Sequence, residues 1–234
     1  MKKFLSLICL IVIPVFAYEV FSPNDYEYKT LGDKLLFVVD FSNSMSEYIE
    51  HQTKVNQVKE MMAYILPQIS KDTKVGLRVY GHTCNLLALS ACRSSELIVP
   101  LELNNPTKIA TELQRLRPKG ITPITYSLKQ AVKKDLEGFD GIKHIILLTD
   151  GGENCDESPC DYAIELMKKR RDIKIDVIAF DVNDEDDLAQ LKCTADVTGG
   201  RFSDVETKAE LFRSMENMIN PHKKEVQAVL FNEN

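Results

Sequence analysis

Asp40, Ser42 and Ser44 occupy alternate positions directly after the apolar run 35–39, and each side chain ends in oxygen. Hard oxygen donors without sulfur or imidazole suit Mg²⁺, with Mn²⁺ or Ca²⁺ as alternatives, rather than zinc or copper. The same residue types also cap helices and shape turns, so this string alone leaves both readings open. Two distant segments add donors of the same kind. Gly120-Ile121-Thr122-Pro123-Ile124 brings a hydroxyl at Thr122, and the run 145–149 delivers a carboxylate at Asp150. Glu153, Asp156, Glu157 and Asp161 follow closely and would rim the same face. Such a rim would hold a second cation or select basic partners; acids at a helix N-terminus also simply meet the macrodipole.

The elements that must position these residues alternate along the chain. Residues 34–40, 74–81, 96–103, 142–149 and 173–181 read as strands, with 201–203 as a short edge strand. Between them, Val55, Val58, Met61, Met62, Ile65 and Leu66 recur at helical spacing until Pro67 ends the run. Further helices are predicted over 106–117, from Ile124 to Leu136, from the Ser158 cap with Pro159 at its first position, and over 184–197 and 207–219. The methionines at 61, 62, 215 and 218 fall at core spacing. Strands alternating with helices define an α/β fold: a doubly wound, mostly parallel central sheet with helices on both faces, a Rossmann-like three-layer sandwich. Ligands of such sheets sit at the carboxyl ends of the strands, near a switch in strand order. Residues 40–44, 122 and 150 all belong to strand exits or to a loop that reaches them.

The chain has 234 residues, the size of one substantial domain. Met1-Lys2-Lys3, an apolar stretch over 4–16 broken by Ser6, and Val15-Phe16-Ala17 together read as a signal peptide over 1–17, too short for a comfortable membrane span. The expected division is this leader, a lead-in over 18–33, a domain over 34–219 and a tail over 220–234. Cleavage would remove Lys2 and Lys3 and no acid, leaving 27 basic against 35 acidic residues, a balance of −8. No Lys/Arg stripe interleaves with aromatics, so nucleic acid and anionic membrane are poor partners, and no stable membrane span is expected after cleavage. A periplasmic or secreted location follows from the leader, and there disulfides are the default state of cysteine. Five mature cysteines, Cys84, Cys92, Cys155, Cys160 and Cys193, leave one outside any intrachain pairing. Cys84–Cys92 and Cys155–Cys160 would each close a short loop, while Cys193 would take Cys155 or Cys160 if its helix packs beside them. A zinc site using His82 and Cys84 is the rival reading, without a paired C-x-x-C spacing to support it. Residues 181–187 have a calcium-loop flavour but lack Gly at loop position six and Glu at position twelve. A solvated helix start describes them better.

Taken in order, Asp40, Ser42, Ser44, Thr122 and Asp150 resemble the metal-ion-dependent adhesion site of the von Willebrand factor A family. The resemblance runs from about Leu31 to Ile219. Thr149-Asp150-Gly151-Gly152-Glu153-Asn154-Cys155, Tyr80-Gly81-His82 and Thr198-Gly199-Gly200-Arg201-Phe202 are similar to a bacterial exported subgroup. Asn43 stands where many members carry Gly, and Asn tolerates the left-handed region better than most residues. The resemblance implies that the Ser42 and Ser44 hydroxyls bind the metal directly and that Thr122 joins them in the ligand-engaged state. Asp40 and Asp150 would act directly or through water, and an open coordination position would take a carboxylate offered by a partner protein. The expected role is thus non-enzymatic protein binding in adhesion or envelope assembly. A Mg²⁺-dependent hydrolase is the first rival, but an Asp nucleophile of that kind wants a second Asp two residues on, where Ser42 stands. A subunit of a motor ATPase and a scaffold that does not use the metal are the others.

Overall fold

β1 (Lys34–Asp40) reads Lys-Leu-Leu-Phe-Val-Val-Asp and buries every residue after the first. An apolar run with side chains on both faces must be covered on both sides, which only an interior strand of a layered sheet allows. The computed structural model describes residues 34–83, 88–138 and 140–220. The predicted leader and lead-in, Cys84, and the tail beyond Asn220 lie outside the described residues.

After β1 comes a 3₁₀ turn over Asn43–Ser46, then a small antiparallel hairpin of β2 (Tyr48–Ile49) and β3 (Gln52–Thr53), which leads directly into α1 (Lys54–Ile65). β4 (Lys74–Tyr80), α2 (Ala88–Ala91), β5 (Ser95–Glu102) and α3 (Pro106–Arg115) follow. α4 (Ile124–Gln130) widens into a π-helical turn over Ala131–Asp135. β6 (Lys143–Thr149), α5 (Pro159–Met167), β7 (Ile173–Phe180), α6 (Glu185–Thr198), β8 (Phe202–Val205) and α7 (Lys208–Ile219) complete the described residues. Local chemistry sets several boundaries. Ser158 accepts the Asp161 amide with Pro159 at the first helical position, and Thr207 with Glu210 forms a reciprocal capping box.

The six long strands form one sheet in the order β5-β4-β1-β6-β7-β8, parallel throughout except for β5, which runs antiparallel to β4. Leu35, Phe37 and Val39 face a core built with α1, α3 and α7. Leu36 and Val38 face a second core built with α4, α5 and α6. The doubly wound, three-layer expectation therefore describes the molecule. The chain leaves β1 toward β4 and β5, then returns across β1 to β6, so strand order switches direction between β1 and β6. Asp40 ends the first of these two strands and Asp150 follows the second.

Differences from the sequence reading are local. The helix predicted over 106–117 stops at Arg115, and the edge strand shifts to Phe202–Val205. The β2–β3 hairpin and α2 carry no periodic signal because two-residue strands and a single helical turn are too short to show one. Met61, Met62, Met215 and Met218 are all core residues, as their spacing predicted.

Candidate functional site

At the switch between β1 and β6, four of the five oxygen-bearing residues are linked by hydrogen bonds. Ser44 Oγ donates to Asp150 Oδ1 at 2.8 Å. Ser42 Oγ lies 3.0 Å from Ser44 Oγ, and because the single Ser44 proton is used on Asp150, Ser42 is the donor of that pair. Asp40 turns back on its own loop: Oδ1 accepts the Ser42 amide at 2.6 Å, and Oδ2 accepts Thr149 Oγ1 at 2.8 Å. Asp40 is fully buried and Asp150 nearly so. Burial, then the neighbouring Asp150 charge, pushes the Asp40 carboxyl up from its ordinary 3.8 to about 7, although bonds from Ser42 and Thr149 work the other way. Asp150 is raised too, chiefly by burial, while Ser44 and Lys54 oppose the shift.

The segment bearing Thr122 is held by its backbone. Residues Ser42 and Gly120 form an isolated parallel bridge, with the Asn43 amide donating to Gly120 O at 2.9 Å. On the other side the Asn154 amide donates to Thr122 O at 3.2 Å. Thr122 is itself buried. This close stacking of loops requires glycine at two points. A Cβ on Gly81, which also has φ of +71°, would run into the Ser42 amide, and one on Gly120 would come within 2.7 Å of Thr83 O. Asn43 sits in the 3₁₀ turn and is absent from the residues with positive φ, so the left-handed tolerance expected of it is not needed.

Of the four acids expected on the rim, Glu153 instead points inward. Its Oε2 accepts the Thr125 amide at 2.7 Å, at the start of α4, and its Oε1 accepts the Cys155 amide at 3.0 Å. It thereby clasps the loop of Thr122 to the loop of Asp150, and burial raises its carboxyl pKa. Glu157 is neutralised by Lys129 at 2.6 Å. Asp161 lies in the first turn of α5, where an acid meets the helix dipole, and Asp156 is an exposed turn residue with φ of +52°. Residues 184–187 are a capped helix start: Asp184 Oδ1 accepts the amides of Asp186 and Asp187.

Two residues that sequence reasoning missed complete the surroundings. Lys54, the first residue of α1, is only 3% exposed, and its Nζ lies 3.3 Å from Asp150 Oδ2 and 3.0 Å from Asp181 Oδ2. Burial works to lower its pKa, but Asp181 and Asp150 outweigh it and the net shift is upward. A lysine opening a helix carries no sequence signal of burial, and Asp181 comes near it only because β7 ends beside β6.

The cysteines pair differently from the short loops expected. Cys92 is bonded to Cys155 and Cys160 to Cys193, with Cα separations of 5.5 and 5.4 Å. Cys84–Cys92 and Cys155–Cys160 are thus replaced, because α5 packs along α6 and places Cys160 opposite Cys193, the alternative that helix packing allowed. Cys92–Cys155 ties the turn between α2 and β5 to the loop that carries Asp150. His82 Nε2 contacts Glu96, and no cluster of three or more His, Cys, Asp or Glu residues suited to a metal occurs among the described residues. The cup itself is a different donor set, two carboxylates with hydroxyls. Both acids are buried, and the Asp150 charge raises the proton affinity of Asp40, so a hard divalent cation fits these residues.

The sequence model of the von Willebrand factor type A domain matches residues 34–217, and the chain belongs to that family. An uncharacterized Bacillus subtilis protein, YwmC, is 29% identical over 222 residues, spanning 90% of this chain and 94% of its own. Among solved structures, proximal thread matrix protein 1 from the mussel byssus, in a form with a zinc-occupied MIDAS motif, matches with a TM-score of 0.61 at 19% identity. That match covers 80% of this chain and 45% of the mussel protein, so the chain spans less than half of it. The PilB minor pilin of Streptococcus sanguinis matches with a TM-score of 0.57 at 17% identity, over 85% of this chain and 62% of the pilin. At these identities the structural likeness is one of fold. The family supports a protein-interaction domain, and the two disulfides fit an oxidising compartment. Among the described residues no helix is long and apolar enough to cross a membrane.

Proposed function

We propose that this is an exported, divalent-cation-dependent binding domain that grips a carboxylate of a partner protein through Asp40, Ser42, Ser44, Thr122 and Asp150. The observation that carries the reading is the pair of buried carboxylates, Asp40 and Asp150, closing a cup whose other walls are hydroxyls. A bound Mg²⁺, Mn²⁺ or Ca²⁺ would supply an electrophilic point for an incoming carboxylate. Ser42 and Ser44 would turn their lone pairs inward, exchanging the Ser42–Ser44–Asp150 chain for the ion. Asp40, with both oxygens engaged by Ser42 and Thr149, is placed to act through water and to hold the loop in shape. Neutral hydroxyls in the inner positions leave the ion hungry for charge, which favours an acidic ligand over a neutral one. The zinc-occupied motif of the mussel protein supports the cation as a class, while the oxygen donors here favour the harder ions.

The Ser44 hydroxyl that now bonds to Asp150 Oδ1 would be turned to the ion, and the family is one of interaction domains, which supports holding over turnover. The test is a pull-down from envelope extract with Mg²⁺ against EDTA, comparing the wild type with Asp150→Ala. A partner captured only by the wild type in Mg²⁺ is expected. A partner retained under every condition takes the metal out of the mechanism, and Mg²⁺-dependent phosphatase turnover abolished by Asp40→Asn would replace binding with hydrolysis.

A further inference from the structure

A lysine at the first position of a helix is electrostatically misplaced, because the helix N-terminus already carries partial positive charge. Lys54 holds that position, its side chain is almost wholly removed from water, and its amide donates to Glu47 O at 2.9 Å. What keeps the ammonium there is three carboxylates: Asp181 Oδ2 at 3.0 Å, Asp150 Oδ2 at 3.3 Å and Glu47 Oε2 at 3.3 Å. Asp150 is therefore divided between two of the chain's own groups, Ser44 on Oδ1 and the ammonium facing Oδ2.

We propose that Lys54 is a tethered cation that sets the affinity of the cup for divalent ions and keeps a bound ion receptive to a partner's carboxylate. The inference rests on the cation-site reading above and adds the residue that tunes it. With Asp40 and Asp150 ionised, the ammonium, shared with Asp181 and Glu47, offsets part of the cup's negative charge, so a divalent ion retains more positive charge for the partner to satisfy. Without Lys54 the surrounding carboxylates would face the ion uncompensated, binding it more tightly and leaving less attraction for a partner's carboxylate. Lys54 also holds Asp150 on its Oδ2 side, which favours contact with the ion through water. Asp181 and Glu47 complete the device as the ammonium's other partners, at 3.0 and 3.3 Å.

The test is calorimetric titration of Mg²⁺ alone into the EDTA-stripped, disulfide-bonded protein at low ionic strength. A unit charge removed from within a few ångströms of a divalent ion is a large effect even when well screened. Lys54→Met is expected to bind Mg²⁺ at least about tenfold more tightly than the wild type. Asp181→Asn leaves the ammonium less compensated and is expected to weaken Mg²⁺ binding about threefold. General loosening of the fold would weaken both variants, so the opposite signs identify the electrostatic role. Equal or weaker binding by Lys54→Met, with the wild type binding normally, overturns the inference and leaves the cation site standing. If Lys54→Met does not fold, Lys54→Gln takes its place beside Asp181→Asn, and wild-type or weaker affinity in Lys54→Gln overturns it. Mg²⁺ binding by neither the wild type nor any variant removes the site and this inference together. Binding gained only on removal of Lys54 supports it.

Discussion

Glu153→Gln changes one atom in the clasp between the Thr122 and Asp150 loops, and its cost follows from what that atom does. In the wild type the two carboxylate oxygens each accept one backbone amide, from Thr125 and from Cys155. A glutamine of the same shape offers one acceptor and one NH₂, so one amide gains a donor facing it where it had an acceptor. A hydrogen bond to a charged group contributes about 1.5–3 kcal/mol, and leaving a partly buried donor unmet costs about 1–3 kcal/mol. Because Glu153 is not fully enclosed, water recovers part of this, and a net loss of about 2 kcal/mol is expected. The Thr125 amide belongs to the first turn of α4, three residues beyond Thr122, so the slack should reach the cup. Urea unfolding of Glu153→Gln in EDTA should show the stability loss, and Mg²⁺ titration should show affinity about tenfold weaker, a difference of about 1.4 kcal/mol. Glu157→Gln, which alters only an exposed pair with Lys129, serves as control and should leave the stability and Mg²⁺ affinity unchanged. Wild-type stability together with wild-type Mg²⁺ affinity in Glu153→Gln would refute the clasp.

Two further outcomes follow from the same geometry. Removing the bridge with Cys92→Ser plus Cys155→Ser frees a loop of 63 residues' separation and should lower stability by about 4 kcal/mol on the loop-entropy account, read from urea midpoints with Cys160–Cys193 intact; an unchanged midpoint would show that the bridge does not form. In EDTA the folded state holds a proton on Asp40 up to about pH 7, whereas the unfolded chain releases it near 3.8. The folded state therefore binds more protons across that window, and stability should fall as pH rises through it, by up to roughly 4 kcal/mol. Asp40→Asn should flatten this slope, and a wild-type midpoint that instead rises from pH 4 to 7 would contradict the burial of Asp40 as an acid.

The sheet and the cup were legible in the sequence for a shared reason. Parallel interior strands must be apolar on both faces, so runs such as 35–39 and 145–148 announce themselves, and a polar residue directly beyond such a run is at a strand exit. That placed Asp40 and Asp150, and the fold's switch between β1 and β6 then brought them together. What stayed hidden depends on side chains meeting across elements that are distant in sequence. Glu153 looked like one acid among several until the Thr125 amide of α4 supplied its distant partner. Lys54 carries no signal because nothing near it in sequence announces Asp150 and Asp181. Cysteine spacing favoured closing the nearest loops, whereas the packing of α5 on α6 and the approach of Cys92 to the Asp150 loop chose other pairs. The hairpin of β2 and β3 was too short to leave a pattern, yet it delivers Lys54 to the cup.

The central claim is that Ser42, Ser44 and Asp150 hold a divalent ion. Calorimetric titration of Mg²⁺ into the EDTA-stripped wild type and into Ser42→Ala plus Ser44→Ala tests it most directly. One ion per chain in the wild type, and binding lost or weakened at least a hundredfold in the double variant with its disulfides and fold intact, is the predicted result. Equal Mg²⁺ binding by both proteins would contradict the account.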